Sequence, residues 1–466
     1  MSAIAKILLE QGHQVSGSDL HLSEITRKLE MLGATIYAGH RAENVEGATE
    51  VVVSSAIPPT NGELIAARER GIPVMQRAEM LARLMKNKRG IAVAGTHGKT
   101  TTTSMVALML ERNGLDPTVL IGGELNDFGG NAKLGRGQYV VAEADESDGS
   151  FLKLAPYYAV VTNVEPDHLD YYGTLDRIAL AFERFLDQVA EAGLAVLGVD
   201  DPVVGELSVR YSRRYLSYAL KAKAHYTARD IHLQQLGSSC RVFFQGRELG
   251  QLRLQVPGVH NISNALAAVA LGREIGLEFE PLASALATFR GVQRRFETLA
   301  LVNGIRVVDD YGHHPTEVQA TLKAARNAAS GRVICIFQPH RYTRTKYLYG
   351  AFGQAFGLAD ELIITDIYPA GEPPIEGVSA GLIVDAVERY QGKRPLYLRD
   401  REEILRLVME MARPGDLVLT LGAGDIRSVG EALAEKYRRA ASCEPRTAGS
   451  WEEEDNGAIT NSRPTA

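Results

Sequence analysis

The chain has 466 residues, of which 45% are hydrophobic and 23% are charged, the balance of an ordinary globular enzyme. This length is too great for one ordinary core and predicts about three domains. The net charge of -6 argues against a protein that binds nucleic acid through a broad basic face.

The cysteines and the hydropathy pattern predict a cytoplasmic protein. The cysteines are odd in number and far apart in sequence, so they form neither a disulfide framework nor a metal motif. Cys335 lies in an apolar run, which predicts a buried and inert thiol. No apolar run approaches the length that spans a bilayer, and the N-terminus lacks the basic region and apolar core of a signal peptide. We therefore expect no membrane insertion.

Residues 1–87 are predicted to form a first α/β domain. Helical spacing over residues 1–11 is followed by predicted strands at 14–18, 34–38 and 50–54. Regular alternation of this kind indicates a parallel sheet with covering helices, as in a Rossmann-like fold.

The start of this domain departs from the usual order of a dinucleotide-binding fold. Such folds begin with a strand and a glycine-rich turn before the first helix, whereas this chain begins with what reads as that helix. We therefore expect the domain to be incomplete at its N-terminus. Ser54 and Ser55 still follow a predicted strand, at the end where open sheets bind ligands.

Residues 90–105, GIAVAGTHGKTTTTSM, predict a phosphate-binding loop between a strand and a helix. Glycines let backbone N–H groups face an anion, Lys99 supplies a positive charge, and Thr100 supplies a hydroxyl for Mg²⁺. A strict pattern requires glycine where Val93 stands, and the alternative is a simple turn with a solvated Lys99. The predicted nucleotide-binding residues of this loop are Gly95, Thr96, His97, Gly98, Lys99, Thr100 and Thr101.

Residues 88–294 are predicted to form a second domain around this loop. Further strands are expected at 138–143, 158–163 and 194–199, separated by helical segments. Short alternating runs over 224–256 indicate an antiparallel sheet.

An acidic run, EADESD over residues 143–148, follows one of these strands. Carboxylates at the carboxyl end of a strand suit hard cations and phosphates. A solvated acidic turn is the alternative. Because the run shares its domain with the phosphate loop, metal binding is the favoured interpretation.

Residues 295–440 predict a third domain with a doubly wound α/β pattern. The run DDYGHHPTE over 309–317 follows a strand and opens a helix. The run FQPHRYTRT over 337–345 also follows a strand, and its Arg341 and Arg344 suit a bidentate grip on carboxylate or phosphate. Solvated surface arginines are the alternative.

Together these motifs resemble the Mur ligase family, the ATP-dependent enzymes that form amide bonds in peptidoglycan synthesis. The resemblance covers residues 1–435 and is strongest to the members that add L-alanine. It rests on GTHGKTT, which folylpolyglutamate synthetases share, on TNVEPDHLD at 162–170, on HNISNA at 260–265, and on DDYGHHPTE. The order of these motifs is the order expected for the family.

The resemblance implies an ATP-dependent acid–amino-acid ligase. ATP would phosphorylate the lactyl carboxylate of UDP-N-acetylmuramate, and the amine of L-alanine would then attack the acyl phosphate. Two alternatives stay open: a recycling ligase that joins a tripeptide to UDP-N-acetylmuramate, and a truncated nucleotide-binding protein without ligase activity.

The resemblance also implies roles for the metal and nucleotide residues. Glu143 and His168 would ligate one Mg²⁺, and Thr100 and Glu143 would hold the Mg²⁺ that bridges the ATP phosphates. An Asn side chain can pair with both a donor and an acceptor of adenine, which is the implied role of Asn264. The implied nucleotide residues also include Asn261, for which a helix cap is the alternative, and Arg295, for which a basic pair at a helix end is the alternative.

The remaining implied residues handle the substrates. His313 is a candidate base for the amine of L-alanine. The implied substrate-binding residues are Ser54, Ser55, Tyr311, His313, His314, Arg341 and Arg344. The implied catalytic residues are Lys99, His168, His313, Arg341 and Arg344.

Two departures from the family pattern are informative. Several Mur ligases carry a carbamylated lysine after the motif histidine, but no lysine stands between Asp170 and Pro202. This counts against the members that add glutamate or a diamino acid. Residues 1–5, MSAIA, match only the end of the family's opening strand and turn, so we expect a truncated N-terminus; a family variant without these elements is the alternative.

Some expectations concern the whole chain. Because the implied sites are split among domains, we expect closure when nucleotide and substrate bind. We also expect a monomer or weak homodimer and no nucleic-acid partner. The polar residues 441–466 predict a disordered tail.

Overall fold

A computed structural model describes residues 1–125 and 130–443, with α-helices and strands in regular alternation. We refer to residues 1–87 as the N-terminal unit, 88–294 as the central unit and 295–443 as the C-terminal unit. These boundaries stay predictions. The expected tail lies almost wholly outside the described residues.

The N-terminal unit contains two separate pairs of parallel strands. The single parallel sheet expected here is therefore wrong: β1 pairs only with β2 and β3 only with β4 among the described residues, since no described strand bridges the two pairs. The elements are α1 Ser2–Glu10, β1 Ser16–Asp19, α2 Glu24–Met31, β2 Thr35–Ala38, β3 Val51–Val53, α3 Gly62–Glu69, β4 Val74–Gln76 and α4 Arg77–Met85.

Helix α1 packs against the central unit. Its buried side chains, Ile4 and Ile7, belong to a hydrophobic cluster made mostly of central residues. Lys6 Nζ donates to the Ala132 carbonyl oxygen at 2.7 Å, and Asn131 Nδ2 donates to Ser2 Oγ at 3.1 Å. The apolar stripe predicted over residues 1–11 is thus buried between two units.

The central unit is built on one ten-stranded sheet with the order β14-β13-β12-β11-β10-β9-β5-β8-β6-β7. The antiparallel strands expected over 224–256 are confirmed, and they extend this sheet because β12 pairs in parallel with β11. The strands are β5 Arg89–Ala94, β6 Thr118–Leu125, β7 Gly130–Lys133, β8 Tyr139–Glu143, β9 Tyr158–Val161, β10 Leu194–Gly198, β11 Tyr215–Ala219, β12 Tyr226–Gln234, β13 Gly237–Phe244 and β14 Arg247–Leu254.

Helices cover both faces of the central sheet, and each face has its own core. On one face, α5 and α9 pack with residues such as Ile91 and Val141. On the other, α7 packs through Phe182 and Phe185 against Ala92. The helices are α5 Lys99–Arg112, α6 Leu169–Tyr172, α7 Leu175–Asp187, α8 Pro202–Arg210, α9 Val259–Ile275 and α10 Phe279–Leu286.

The C-terminal unit has a six-stranded sheet with the order β15-β16-β20-β17-β18-β19, parallel except for the hairpin of β15 with β16. This confirms the expected doubly wound pattern. The elements are β15 Glu297–Val302, β16 Ile305–Asp310, α11 Pro315–Ala328, β17 Val333–Phe337, α12 Tyr342–Gly353, β18 Glu361–Ile364, α13 Gly381–Gln391, β19 Leu396–Tyr397, α14 Arg401–Met411, β20 Leu417–Leu421 and α15 Arg427–Cys443.

Parallel pairing places the motif loops together. Strands β8, β5 and β9 are neighbours, so the loops that follow Glu143, Ala94 and Val161 leave one edge of the central sheet. Strands β16 and β17 both flank β20, so the loops after Asp310 and Phe337 leave one edge of the C-terminal sheet. Ligands of open sheets bind at such edges.

Two of the sequence expectations concern the Cys335 thiol and membrane insertion. The Cys335 thiol is buried, as predicted, and burial raises its pKa. No helix within residues 1–125 and 130–443 has the length and apolarity that a transmembrane span requires.

Candidate active site

The phosphate loop closely approaches neighbouring segments at its two glycines. Gly95 has φ of 136°, and a Cβ there would lie 2.0 Å from Thr162 Oγ1. Gly98 has φ of 80°, and a Cβ there would lie 2.6 Å from Asn264 Oδ1. Only glycine satisfies both the conformation and the space. The loop is thus closely packed before any phosphate binds.

Lys99 opens α5, and its ammonium lies inside the loop. Nζ donates to the carbonyl oxygens of Gly95 at 2.5 Å and Thr96 at 3.2 Å, and to Glu146 Oε1 at 2.7 Å. The Lys99 side chain is 18% exposed and that of Glu146 only 2%. The solvated lysine considered as an alternative is therefore wrong.

The acidic run at the end of β8 holds three carboxylates with different surroundings, of which Glu146 is buried, Glu143 partly buried and Asp145 exposed. Burial raises the pKa of Glu143, although the hydrogen bond from the backbone N–H of Gly122 at 2.9 Å and the charge of Lys99 both act to lower it. Burial also raises the pKa of Glu146, to about 7. At Asp145 desolvation acts the same way, but the charges of Lys99 and His168 and the hydrogen bonds of Ser147 together outweigh it, and the pKa is lowered. The run is not the solvated acidic turn considered as an alternative.

Thr100 and Glu143 are positioned to share a cation. The Thr100 hydroxyl lies near the Glu143 carboxylate and acts to lower its pKa. Mg²⁺ is usually held by one or two carboxylates together with substrate phosphates. The hydroxyl, the buried carboxylate and the adjacent phosphate loop therefore fit Mg²⁺. Thr101, the next residue of α5, is buried with 8% exposure.

His168 lies across the loop from Lys99 with φ of 51°. Its Nε2 atom is 3.8 Å from Glu146 Oε1 and 3.7 Å from Asp167 Oδ2. Burial lowers the pKa of His168, so the ring is neutral and able to ligate a metal. Its nearest acidic partners are Glu146 and Asp167, whereas the resemblance pairs it with Glu143.

The two arginines of the C-terminal unit have different surroundings. Arg344 is buried and makes a bidentate contact with Asp167 of the central unit, with Nη2 at 2.9 Å from Oδ1 and 3.1 Å from Oδ2. Burial acts to raise the pKa of Asp167, but the charges of Arg344 and the neighbouring histidines together outweigh it and lower that pKa. Arg341 is one-third exposed, and its Nη1 lies 3.9 Å from both Asp170 and Glu372. Because these contacts are long, Arg341 is the arginine of the two that can bind a further anion.

A cleft between the central and C-terminal units joins these groups. It is lined by His168, Asp170, Arg341, Arg344 and other residues of the same two loops. A small anion in this cleft would face Arg341, Arg344 and His168.

Tyr311 and His313 lie beside the arginines. Arg294 lies over the Tyr311 ring at 4.8 Å from its centroid, and the rings of Tyr311 and His313 are 5.5 Å apart. His313 Nδ1 is 3.0 Å from the Tyr311 carbonyl oxygen. Burial lowers the pKa of His313 to about 4, with Arg344 adding to the effect. The imidazole is therefore neutral at pH 7, with Nδ1–H donating to the carbonyl and Nε2 left to accept a proton.

His97 and His314 meet across the boundary between the units. Their ring centroids are 4.8 Å apart. His97 Nδ1 lies 3.2 Å from Glu317 Oε1, and Thr316 Oγ1 donates to Glu165 Oε2 at 2.5 Å. The phosphate loop thus contacts the first turn of α11 directly.

The implied adenine residues lie at the start of α9. Asn264 is buried, and its Oδ1 faces Gly98 of the phosphate loop. Asn261 Nδ2 donates to the Pro257 carbonyl oxygen at 2.7 Å. The capping alternative for Asn261 is wrong, because Gly258 is the N-cap of this helix. Arg295 Nη1 lies 3.5 Å from Glu317 Oε1.

Ser54 and Ser55 are not brought to this cleft by any hydrogen bond of the described residues. They follow β3 in the N-terminal unit, as predicted, and Ser54 Oγ accepts from the backbone N–H of Ala56 at 3.1 Å within the same turn.

Several partners were missed by reasoning from the sequence. Glu146, Asp167 and Glu165 stood within the quoted motifs but had no specific contacts assigned, and Glu317 was read only as the end of a motif. Their partners are Lys99, Arg344, Thr316 and His97, far away in sequence. The signal that could have indicated these contacts is that the motifs hold more carboxylates than the predicted magnesium sites use.

Comparison with known proteins gives matches along the whole chain. Residues 1–89 match the model described as Mur ligase family, catalytic domain. Residues 93–272 match the Mur ligase middle domain, and residues 294–424 match the Mur ligase, glutamate ligase domain.

Curated relatives cover nearly the full length of the chain. The UDP-N-acetylmuramate–L-alanine ligase of Pelotomaculum thermopropionicum is 57% identical over 94% of this chain and 95% of its own length. That of Desulforamulus reducens is 52% identical over the same shares.

Solved structures show the same architecture. The UDP-N-acetylmuramate–alanine ligase of Thermotoga maritima matches with a TM-score of 0.80 and 31% identity, over 94% of this chain and 97% of that one. A murein peptide ligase from Psychrobacter arcticus matches with a TM-score of 0.69 and 24% identity, over 94% and 96% of the two chains.

Proposed function

Because this chain belongs to the Mur ligase family, we propose that it joins the amine of L-alanine to the lactyl carboxylate of UDP-N-acetylmuramate, with ATP as the energy source. The observation that carries the choice of substrates is the 57% identity to an L-alanine ligase across both chains. This makes the chain a ligase of peptidoglycan precursor synthesis.

The reaction proceeds in two steps. A carboxylate is a poor acylating agent, so the γ-phosphoryl group of ATP is first transferred to the lactyl carboxylate, with ADP leaving. The amine of L-alanine then attacks the acyl phosphate, and the tetrahedral intermediate collapses to the amide and inorganic phosphate. Both steps need positive charge and hydrogen-bond donors around transferring or departing phosphate oxygens.

We assign the phosphate-binding role to the loop and its lysine. Backbone N–H groups of the loop and the start of α5 bind the ATP phosphates. Lys99 leaves Glu146 and contacts the γ-phosphate, which offsets the charge that accumulates during transfer. Mg²⁺, held by Thr100 and Glu143 with His168 beside it, would supply further charge neutralisation when bound.

We assign the amino-acid site to the C-terminal unit. Arg341 binds the carboxylate of L-alanine, because its guanidinium faces the cleft and has only loose contacts with Asp170 and Glu372 at 3.9 Å. His313 accepts a proton from the amine through Nε2, since Nδ1 is fixed by the Tyr311 carbonyl at 3.0 Å. Tyr311 and His314 form the adjoining wall.

Arg344 acts on this site through Asp167. The buried pair fixes the loop that carries His168, so Arg344 serves as a positioning residue in the arrangement seen here. A direct contact of Arg344 with the transition state would require the pair with Asp167 to separate.

The remaining nucleotide and sugar contacts complete the assignment. Asn264 and Asn261 lie beside the phosphate loop and bind adenine, with Arg295 near the nucleotide. Ser54 and Ser55 bind the UDP sugar from the N-terminal unit. Binding of the UDP sugar through Ser54 and Ser55 brings the N-terminal unit toward the cleft.

The recycling ligase is the less supported alternative. Eight curated relatives at 48% to 57% identity are L-alanine ligases, whereas the murein peptide ligase at 24% identity shares the fold.

The test measures ADP release with each substrate omitted in turn. We expect turnover to require ATP, UDP-N-acetylmuramate and L-alanine together. A competition between L-alanine and L-alanyl-γ-D-glutamyl-diaminopimelate separates the two ligases, and preferential use of the tripeptide would contradict the proposal. ADP release that ignores both acceptors would instead identify a nucleotide hydrolase.

A further inference from the structure

A cluster of potential metal ligands lies outside the assigned magnesium site. It consists of His97 in the phosphate loop, Glu165 in the loop after β9, and His314 just before α11. We call these three residues the bridging cluster, because the first two belong to the central unit and the third to the C-terminal unit.

The ligand atoms of the bridging cluster converge on one point. One ligand atom from each residue lies within 4.8 Å of those of the others. His97 Nε2 and His314 Nδ1 each lie 3.6 Å from Glu165 Oε2. Ligands of a tetrahedral ion at about 2.1 Å are about 3.4 Å apart. The observed separations are therefore close to those of a coordinated ion.

The hydrogen bonds orient lone pairs toward this point. His97 Nδ1 lies 3.2 Å from Glu317 Oε1, so a proton on Nδ1 is held there and, in the neutral ring, Nε2 carries the lone pair. A carboxylate behind a ligating histidine is the usual arrangement in metal sites. Thr316 Oγ1 donates to Glu165 at 2.5 Å and fixes that carboxylate in turn.

Two buried nitrogen atoms of the cluster have no hydrogen-bond partner. They are His97 Nε2 and His314 Nε2, and the His314 residue is only 4% exposed. An unpaired polar atom in the interior costs free energy of the order of a lost hydrogen bond. His314 Nδ1 has only a long contact of 3.4 Å with the backbone N–H of Thr316. Of the two orphaned atoms, His97 Nε2 faces Glu165 and could bind a cation or carry a proton there, whereas His314 faces Glu165 through Nδ1.

We propose that His97, Glu165 and His314 bind one divalent cation of the transition series, such as Zn²⁺, Co²⁺ or Mn²⁺. Two imidazoles and one carboxylate suit these ions, whereas Mg²⁺ prefers oxygen ligands. The ligand set shares no residue with Thr100, Glu143 and His168, so the site is separate from the one assigned to the ATP-bound magnesium.

A cation at this place ties the phosphate loop to the C-terminal unit. His97 lies between two glycines of the loop, and His314 is the N-cap of α11, one residue from His313. Coordination would therefore hold the nucleotide site and the amino-acid site at a fixed separation. The occupied site would favour the closed arrangement of the two units.

A proton is the competing occupant. Although burial opposes it, the charges of Glu317 and Glu165 raise the pKa of His97 to about 9. An imidazolium at His97 could then donate to Glu165 without any metal. The experiment must separate these two occupants directly.

The experiment titrates the full chain, free of nucleotide and Mg²⁺, with Co²⁺ and Zn²⁺. We expect one ion per chain by calorimetry, an intense visible absorption from Co²⁺ with fewer than six ligands, and two imidazole ligands in the X-ray absorption spectrum of the Zn²⁺ form. The spectrum is recorded on the unaltered protein, so it does not depend on how any variant folds.

Variants then locate the ion. Glu165→Gln and His314→Gln should each weaken binding by more than about 100-fold, since even outer partners of metal ligands cost 10–100-fold. His168→Gln should retain the ion, as should His232→Gln, which removes an exposed histidine of β12. Circular dichroism confirms that each variant is folded.

Three outcomes would overturn the proposal. One is that the protein binds no ion more tightly than the exposed His232 does, which would mean that a proton occupies the bridging cluster. Another is loss of binding in His168→Gln with retention in His314→Gln, which would place the ion in the magnesium site. The third is a Zn²⁺ spectrum with fewer than two imidazoles.

Discussion

At the scale of single residues, Lys99 and Glu146 form a largely buried ion pair at 2.7 Å inside the phosphate loop. Removing one partner of such a pair leaves an uncompensated charge. The pair therefore holds the ammonium in position until phosphate oxygens replace the carboxylate.

Replacing Lys99 by Ala should lower kcat by roughly 100-fold or more, because one preorganised donor to a developing charge is commonly worth that much. Steady-state ADP release measures the effect. The control is Lys88→Ala, which removes an exposed ammonium bonded to the Gly137 carbonyl near the start of β5. Equal activity of the two variants would contradict the role of Lys99.

Glu146 gives a prediction for the pH dependence of stability. Burial raises its pKa from 4.5 to about 7, so the folded state binds this proton more tightly than the unfolded state. The free energy of unfolding therefore falls as the pH rises from about 4.5 through 7. Glu146→Gln cannot ionise but leaves Lys99 without its carboxylate partner, so only the pH dependence is predicted: its Tm relative to that of the unaltered protein should be higher at pH 8 than at pH 5.

The matched control for this prediction is Glu191→Gln, which removes an exposed carboxylate. It separates the effect of one buried group from a general change in net charge. A gain for Glu146→Gln that is larger at pH 5 would reverse the predicted sign and reject the explanation.

At the scale of elements, the unit of function is strand β5, the glycine loop and helix α5. A Cβ on Gly95 would lie 2.0 Å from Thr162 Oγ1 and 3.1 Å from the backbone N of Asn163, which belongs to the loop after the adjacent strand. The loop is therefore shaped by its neighbour as well as by its own sequence.

Replacing Gly95 by Ala should displace the loop from the segment after β9 and lower ATP affinity at least tenfold. Equilibrium binding of a fluorescent ATP analogue measures this. Gly114→Ala is the matched control, because Gly114 follows α5 with φ of 75° but has no atom within 4 Å of its Cβ position. Gly114→Ala therefore introduces backbone strain of about 1–2 kcal/mol without a steric clash. A similar loss of ATP affinity in both variants would contradict the steric explanation.

At the scale of the whole molecule, the central and C-terminal units meet through buried charges. Arg344 and Asp167 form the bidentate pair of this boundary, and the bridging cluster lies beside it. A buried ion pair fixes the relative position of two segments more reliably than it stabilises the fold, because desolvation offsets much of the attraction.

Replacing Arg344 by Met should separate the two units. The variant leaves Asp167 unpaired, at a cost of about 3–5 kcal/mol if it stays buried, and opening the boundary returns the carboxylate to water. Small-angle X-ray scattering should show a larger radius of gyration. The double variant Asp167→Asn with Arg344→Met should recover part of the compactness.

The control for this prediction is Arg326→Met. It breaks an ion pair with Asp360 at 2.6 Å, but both side chains are about one-third or more exposed and lie in one unit. Exposed pairs are worth about 0–1 kcal/mol. An unchanged radius of gyration in Arg344→Met, as in this control, would show that other contacts hold the boundary.

The sequence by itself determined the local chemistry. A glycine loop followed by Lys99, an acidic strand end, and arginines after a buried strand are each read within a few residues, and the structure has strands and helices at these motifs. The family followed from the order of such motifs. Local signals are sufficient here because loop conformation and strand ends depend mainly on neighbouring residues.

Only the tertiary structure decided which groups meet. Lys99 and Glu146 are 47 residues apart in sequence, and Arg344 and Asp167 are 177 apart. The extension of the central sheet by β12 to β14 and the separation of the N-terminal strands into two pairs also escaped the sequence pattern. These contacts depend on how sheets pair and units pack, and short-range periodicity carries no information about that packing. For the same reason, the sequence placed Arg341 and Arg344 in one role, while packing buried one against Asp167 and left the other facing the cleft.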